Sequence, residues 1–241
     1  MSPLLKACLN GSRTDEEHPA IPRTPPELAA EGLAAVEAGA QVLHLHPYNA
    51  EGAETLAAEP CAAALRAVRA ACPGVAISLS TSADIEADPR RRLELVAAWT
   101  ELPELVTANQ GELGILELCE LLIGRGVGIE AGLLTLADAQ AFVAAGIADR
   151  CARVLLEPLD ADPAAAVAHA AGMETVLADA GVELEQVHHG DDVATWHVMQ
   201  RGASRGHGIR AGLEDTTVLP DGRQAAGNAE LVRAAARMLP A

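Results

Sequence analysis

The chain has 241 residues, half of them apolar, which is enough to bury the core of one barrel-sized domain or of two small ones. We find no linker rich in Ser, Gly or Pro, so we expect residues 1–241 to form a single domain. The 34 acidic and 17 basic residues give a formal net charge of −17, which argues against nucleic acid or an anionic membrane surface as the main partner.

Short apolar runs alternate with amphipathic helical patterns along the whole chain. In chain order, the predicted strands and helices are Leu4–Leu9 with 25–39, Gln41–Leu45 with 58–71, Val75–Leu79 with 89–101, Glu104–Ala108 with 112–124, Val127–Ala131 with 135–146, Cys151–Leu156 with 163–180, Leu184–His188 with 191–202, and His207–Leu213 with 228–238. Eight such units, with strands too apolar to have a wet face, predict an α/β fold of the (β/α)8 TIM barrel type. A doubly wound open sheet is the alternative, but no GxGxxG follows the first strand.

Polar residues collect at the carboxyl ends of the predicted strands, where the active sites of such barrels lie. Besides those discussed next, they are Asn10, Ser80, Thr81, Thr107, Asn109, Glu130, Glu157, His188 and His189. Each one alone is weak evidence, because a solvated loop is polar in any case. The two adjacent histidines point to opposite faces of their strand, so at most one of them reaches the site.

The second predicted strand ends in His44-Leu45-His46. Side chains alternate along a strand, so both imidazoles face one side, about 7 Å apart, and can bind one metal ion. In a closed barrel strand 8 pairs with strand 1, and strand 1 pairs with strand 2, so Glu214 can face both histidines. Three protein ligands with an open fourth position are the pattern of catalytic zinc, which polarises a carbonyl and stabilises an enolate.

Arg210 precedes Glu214 by four residues and Asp215 by five, close enough to share the barrel mouth with both. An Arg–Asp pair there would hold an ionised base in a fixed place. An ordinary structural ion pair is the alternative.

With these residues, the chain resembles the β-keto acid cleavage enzyme family, whose founding activity is the cleavage of 3-keto-5-aminohexanoate. The resemblance covers nearly the whole chain. Its motifs are Asn10-Gly11-Ser12-Arg13, His18-Pro19-Ala20-Ile21-Pro22, His44-Leu45-His46, Leu79-Ser80-Thr81, Thr107-Ala108-Asn109, Ile129-Glu130, Arg210-Ala211-Gly212-Leu213-Glu214-Asp215 and Asn228-Ala229-Glu230-Leu231-Val232.

The resemblance implies a zinc-dependent, usually homo-oligomeric barrel that converts a β-keto acid and acetyl-CoA into acetoacetate and a new CoA thioester. It implies that Arg210 and Asp215 remove a proton through a water, after which enolate attack, CoA transfer and retro-Claisen cleavage follow. The implied zinc ligands are His44, His46 and Glu214. The candidate substrate-binding residues are Ser80, Thr107, Asn109, Asn10, Arg13 and Glu130.

The chain departs from the family at the residue that recognises the substrate amino group. That acidic residue would fall near Gly11 or Ser12, where the chain has no carboxylate. We therefore expect a neutral or anionic substrate tail, with Arg13 as its contact if it is anionic. The basic run Arg90–Arg92 is a candidate contact for the CoA phosphates, and an ordinary solvated run is the alternative.

Other functional classes remain open. A metal-dependent hydrolase or aldolase also uses HxH in a barrel, although the amidohydrolases place that motif on strand 1. A non-catalytic small-molecule barrel has no need of an HxH facing an acid.

The sequence also indicates a cytoplasmic protein without a membrane partner. Its five cysteines are odd in number and form no CxxC, as expected of reduced thiols. The amino-terminal residues lack the pattern of a signal peptide, and no apolar run approaches a membrane span.

Overall fold

The structure is a computed structural model that describes residues 3–240, and its eight parallel strands form a closed barrel. The strands are β1 (Leu5–Cys8), β2 (Val42–Leu45), β3 (Ala76–Ser80), β4 (Leu105–Asn109), β5 (Gly128–Leu133), β6 (Arg153–Leu156), β7 (Gln186–His188) and β8 (Gly208–Ala211). The helices are α1 (Pro25–Glu37), α2 (Ala58–Ala71), α3 (Pro89–Ala97), α4 (Ile115–Gly124), α5 (Leu136–Ala145), α6 (Pro163–Asp179), α7 (Thr195–Ser204) and α8 (Asn228–Ala236). Because β8 pairs with β1, the open-sheet alternative is excluded and the predicted (β/α)8 barrel is confirmed.

Local signals account for several helix starts. Thr24 and Thr135 each accept a hydrogen bond from the helix backbone, and an acidic side chain three residues later completes a capping box. The predicted helix boundaries differ most at two places, by four residues each: α3 ends at Ala97 rather than 101, and α7 begins at Thr195 rather than 191. Residues 192–194 form a 3-10 turn instead, and Asp192 adopts a φ of 45° that no α-helix accommodates.

The barrel interior changes from apolar to polar toward the carboxyl ends of the strands. Val42 and His44 lie on the same face of β2, and Val42 packs in an apolar cluster with Leu4, Leu105, Leu155 and Val187. Above that cluster, the fully buried Lys6 Nζ lies 2.5 Å from Glu130 Oε2. The pairing compensates two charges that would each be costly to bury alone, and it forms the floor beneath the predicted site.

The cysteines are structural. All five are buried and none is disulfide-bonded. Burial raises the pKa of the Cys61 and Cys151 thiols to about 12, so neither supplies a reactive thiolate near neutral pH. No helix in the described part of the chain is both long and apolar enough to cross a membrane.

Candidate active site and metal centre

A cavity of about 340 Å³ lies at the carboxyl ends of the strands and is lined by most of the predicted site residues. These are His44, His46, Ser80, Thr107, Asn109, Arg210, Glu214 and Asp215. A larger groove of about 740 Å³ runs along α8 on the outside of the barrel, and it holds none of the predicted residues. The predicted residues therefore lie together in the smaller cavity, at the end of the barrel where the active sites of such folds are found.

The two histidines and Glu214 converge on one point. The rings of His44 and His46 are 5.2 Å apart and nearly perpendicular. His44 Nε2 lies 3.6 Å from Glu214 Oε2, and His46 Nε2 lies 3.6 Å from Glu214 Oε1. Each residue thus offers one ligand atom, and the three atoms lie within 4.8 Å of one another, close enough to share one ion.

The other nitrogen of each imidazole is held by a neighbouring side chain. His46 Nδ1 is hydrogen-bonded to the carboxylate of Glu54, and His44 Nδ1 lies 3.2 Å from Ser78 Oγ. Such partners orient metal-binding imidazoles and leave Nε2 for the ion. Among the described residues, Glu214 Oε2 is buried without a hydrogen-bond partner. The donor set fits a divalent ion such as zinc.

The charges around Arg210 also suit a divalent cation. Arg210 Nη2 lies 2.5 Å from Asp215 Oδ1, 2.6 Å from Glu214 Oε1 and 3.8 Å from Glu157 Oε1. Three carboxylates around one guanidinium leave two negative charges in surplus within a largely buried site. A doubly charged ion would balance them, which lowers the free-energy cost of burying that surplus.

The surroundings of Asp215 make it a candidate base. Burial raises the pKa of Asp215 above its ordinary value, and this effect outweighs the opposing attraction of Arg210. A raised pKa makes the carboxylate a better proton acceptor. Arg210 Nε lies 3.1 Å from both Asp215 oxygens, whereas Nη2 contacts Oδ1 only, so Oδ2 is the less engaged oxygen.

The loop after β1 explains why the chain has glycine at position 11. Gly11 has a φ of +59°, and a Cβ there would lie 2.5 Å from Glu214 Cγ. A larger side chain would therefore displace a candidate metal ligand. The cavity nevertheless has carboxylates at its mouth, because Asp84 and Asp191 line it from the loops after β3 and β7. The absence of an acid at Gly11 and Ser12 thus does not by itself disfavour a cationic substrate tail.

Asn10, a predicted substrate-binding residue, instead fixes the backbone and is not among the described residues that line the cavity. Its Oδ1 accepts from His46 N at 2.9 Å, and its Nδ2 donates to His46 O at 2.8 Å and to Pro22 O at 3.0 Å. All of its polar atoms are committed to the chain, so Asn10 holds a candidate metal ligand in place.

Arg13 and Glu130 also lie elsewhere than predicted, and neither is among the described residues that line the cavity. Arg13 donates to the backbone oxygens of Glu214 and Asp215. Glu130 is fully buried on β5, where Lys6 more than offsets the effect of burial and lowers the pKa of Glu130. The predicted β5 ended at Ala131, but the strand continues to Leu133, which leaves Glu130 in the barrel interior.

The arginines of the basic run on α3 do not act together as one phosphate-binding site. Arg92 is buried, 2.6 Å from a Glu112 oxygen and 2.6 Å from the backbone oxygen of Leu113, and Arg91 pairs with Glu94 on the surface. Two of the three arginines therefore have structural partners.

Of the two adjacent histidines, only His189 faces the site. His188 packs outward against Gly202 of α7, whereas His189 lies between Glu157 and Asp215. The sequence shows Glu157 as a polar residue at a strand end and predicts no role for it. Ser78 and Glu54 were not singled out, because nothing in their local sequence marks them as partners of histidines far along the chain.

The sequence model of the beta-keto acid cleavage enzyme family matches residues 4–148 and 135–241. The chain belongs to this family. The residues that suggested it from sequence, His44-Leu45-His46 and the Arg210–Asp215 segment, are the ones that the barrel brings together.

Curated relatives carry the same family activity in their names. A 3-keto-5-aminohexanoate cleavage enzyme of Fusobacterium nucleatum is 34% identical over 110 residues, which are 45% of this chain and 39% of that protein. One of Acetoanaerobium sticklandii is 31% identical over 103 residues, 42% of this chain and 38% of that protein. The matched segments thus span about two fifths of these relatives.

A solved structure shares the barrel. ObcA, determined as a ternary complex with a C4-CoA adduct and oxalate, superposes with a TM-score of 0.72 at 18% identity. The superposition covers 91% of this chain and 63% of ObcA. Because the sequences are only 18% identical, this similarity supports the barrel fold of the chain and nothing beyond it.

Proposed function

We propose that the chain is a zinc-dependent β-keto acid cleavage enzyme, which converts a β-keto acid and acetyl-CoA into acetoacetate and a new CoA thioester. The observation that carries the proposal is the convergence of His44, His46 and Glu214 beside the Arg210–Asp215 pair. Family membership supports it, and so do the names of the curated relatives and the CoA adduct named for ObcA.

The proposed metal ligands are His44, His46 and Glu214. A bound zinc ion would polarise the β-keto acid's carbonyl and stabilise the charge of an enolate. Asp215 would take the proton from the carbon between the two carbonyls, directly or through a water. Arg210 would hold the Asp215 carboxylate toward that carbon and keep its negative charge compensated.

Ser80, Thr107 and Asn109 would bind the β-keto acid. Ser80 Oγ accepts from Ser82 N at 3.3 Å and keeps its own hydrogen to donate. Asn109 Nδ2 donates to Glu112 at 3.1 Å, while Asn109 Oδ1 is buried without a partner among the described residues. A hydroxyl donor and an unpaired amide oxygen in one cavity suit a polar substrate.

The rest of the reaction balances without an oxidant or reductant. The enolate carbon would attack the thioester carbonyl carbon of acetyl-CoA, and the acetyl carbon–sulfur bond would break to release the CoA thiolate. That thiolate would then bond to the carbonyl carbon of the former keto group. Cleavage of the old carbon–carbon bond gives the new thioester and the acetoacetate enolate. The proton held by Asp215 would return to that enolate.

The test is a screen of β-keto acids with acetyl-CoA, following acetoacetate and the second thioester in the zinc-loaded protein. We expect the two products in equal amounts and no turnover without acetyl-CoA. Cleavage that proceeds without acetyl-CoA would support the alternative, a metal-dependent hydrolase or aldolase. No turnover of any β-keto acid, with zinc bound, would refute the proposal.

We further propose that the chain forms a homo-oligomer, as the family resemblance implies, and that it acts in the cytoplasm. Five unpaired cysteines suit a reducing compartment. Light scattering of the purified protein measures its oligomeric state. Localisation of the tagged protein in its source cells tests the cytoplasmic location.

A further inference from the structure

His189 occupies a position in the site that the proposed chemistry does not use. It is fully buried at the carboxyl end of β7. Its Nδ1 lies 3.6 Å from Asp215 Oδ1, and its Nε2 lies 3.3 Å from Glu157 Oε2. The imidazole therefore stands between the proposed base and a second carboxylate of the cavity.

Both ring nitrogens of His189 lack a hydrogen bond of standard geometry among the described residues. A buried polar group without a partner is costly, and such groups in folded proteins call for an explanation. A structural histidine, packed to stabilise the barrel, would have its nitrogens satisfied. The carboxylates of Glu157 and of Asp215, which Arg210 already binds, lie within 3.6 Å of these nitrogens. This arrangement indicates a ring held near its partners for another purpose.

Glu157 is a suitable anchor for the ring. Burial alone would raise the pKa of Glu157, but His189 and Arg210 lower it to about 2, so the carboxylate is ionised at neutral pH. Glu157 lies beyond β6, and His189 follows β7, so the anchor and the ring come from neighbouring strands. Their separation is thereby fixed by the sheet.

Arg210 Nε contacts both oxygens of Asp215 at 3.1 Å, but the other nitrogen that holds Asp215 is not reserved for it. Arg210 Nη2 lies 2.6 Å from Glu214 and 2.5 Å from Asp215, so one nitrogen is shared between two carboxylates. A second contact from a different strand would restrict rotation of the Asp215 carboxylate. The 3.6 Å separation from His189 is longer than a hydrogen bond, but such contacts in free enzymes tighten when substrate binds.

We propose that His189, anchored by Glu157, is a positioning residue that orients the base Asp215 through its Nδ1. This inference rests on the proposed function, because it assigns a partner to that function's base. The contact engages Asp215 Oδ1, the oxygen already bound by Arg210 Nη2, and leaves Oδ2 directed to the substrate proton.

Two substitutions at position 189 distinguish the contribution of Nδ1 from that of Nε2. An asparagine amide at position 189 reaches about as far as Nδ1, and a glutamine amide reaches about as far as Nε2. His189→Asn should keep the contact to Asp215, whereas His189→Gln should keep only the contact to Glu157. A merely space-filling role predicts the reverse order, because glutamine is closer to histidine in volume.

The assay measures kcat and KM for the full reaction and, separately, exchange of the substrate's C2 hydrogens in D2O without acetyl-CoA. We expect His189→Gln and His189→Ala to lose about 10- to 100-fold in kcat and in exchange, the usual effect of removing an orienting partner. His189→Asn should lose markedly less. KM and zinc content should stay near those of the native protein in all three variants.

His188→Asn and His188→Gln are matched controls, because the same residue type is equally buried one position earlier but faces α7. They should leave kcat and exchange near the native values. The inference is overturned by native-like kcat in His189→Ala, by His189→Gln outperforming His189→Asn, by equal losses at position 188, or by losses confined to KM or zinc content.

Failure of the proposed function gives a different result. If the native protein neither exchanges C2 hydrogens nor turns over any β-keto acid with acetyl-CoA, the assignment of Asp215 as base falls, and the role of His189 falls with it. A native enzyme that is active, with His189 variants that match it, refutes only the positioning role.

Discussion

Arg13 is bound to the backbone of Glu214: its Nε donates to the Glu214 backbone oxygen at 3.0 Å, and its Nη2 donates to the Asp215 oxygen at 3.3 Å. The guanidinium also pairs with Glu17 at 3.2 Å. One side chain of the loop after β1 thus holds the two residues that we assign as metal ligand and base. A distant loop thereby determines the geometry of the site.

Arg13→Ala should therefore weaken the site as a whole. We expect kcat/KM to fall about 10-fold or more, and by the same factor for β-keto acids with neutral, cationic and anionic tails, because the backbone of Glu214 and Asp215 loses its partner. Arg150→Ala, which removes an exposed arginine between α5 and β6, should leave kcat/KM unchanged. A loss restricted to the anionic substrate would instead show that Arg13 binds the substrate tail.

The tail itself should be neutral or cationic. Asp84 and Asp191 line the cavity, and Arg13, although 3.9 Å from Asp191 Oδ1, is also bound to the backbone of Glu214. A second substrate carboxylate would therefore meet negative charge that Arg13 only partly balances. We expect kcat/KM for a β-keto diacid to be the lowest of the three tail types. Asp191→Asn should reduce the difference in kcat/KM between the diacid and the other substrates several-fold, which is the scale of a partly exposed charge pair. Preference for the diacid in the native protein would contradict this prediction.

His46→Ala should abolish tight zinc binding while the barrel stays folded. His46 lies just beyond the end of β2, outside the packed apolar clusters, so its truncation removes a ligand and little packing. Metal analysis after purification without chelator, with circular dichroism on the same sample, measures both. His197→Ala, an exposed histidine on α7, should keep one zinc per chain. An active, zinc-replete His46→Ala protein would disprove the ligand assignment.

Asp215→Asn should separate metal binding from catalysis. The amide preserves size and hydrogen bonding but cannot accept the proton, so we expect zinc content to be retained and kcat to fall by about 10²-fold or more. Asp221→Asn, in the exposed loop that follows, serves as the control. Turnover of Asp215→Asn at the native rate would rule out Asp215 as the base.

The residues whose roles follow from alternation and strand order could be predicted from sequence. His44 and His46 share a face because of strand geometry, and Glu214 meets them because closure of the barrel brings β8 beside β1. The eight strands could be predicted because short apolar runs that alternate eight times with helical patterns are compatible with few folds other than this barrel.

Side-chain contacts within the site could not be predicted in the same way. A polar residue at a strand end can turn to substrate or to nearby backbone, and for Asn10 the deciding partners are 12 and 36 residues away. Glu130 was misplaced by a two-residue error in the end of β5, because β-strand boundaries carry no capping signal as sharp as that of a helix.

The last prediction concerns stability rather than activity. Glu174 on α6 is hydrogen-bonded to Arg201 and, at 2.8 Å, to Arg205 Nε, both of which lie on or next to α7. Burial would raise the pKa of Glu174, but these arginines and His207 lower it to about 2. A carboxyl whose pKa is lower in the folded state stabilises the fold above its unfolded pKa of about 4.3, and that contribution is lost as the pH falls toward 2.

Glu174→Gln should therefore lower the free energy of unfolding near pH 7 by about 2 kcal/mol, the scale of hydrogen bonds to a charged group. The difference from the native protein should shrink as the pH falls from about 4.5 toward 2, because the unfolded chain then binds a proton at Glu174 that the folded protein does not, which favours unfolding of the native protein. Urea unfolding of both proteins at pH 7, 5 and 3 measures this difference in the free energy of unfolding. Glu94→Gln, at an exposed pair on α3, should change stability by less than about 0.5 kcal/mol at all three values. A difference for Glu174→Gln that stays constant down to pH 3 would show that shape, rather than the carboxylate's charge, holds α6 against α7.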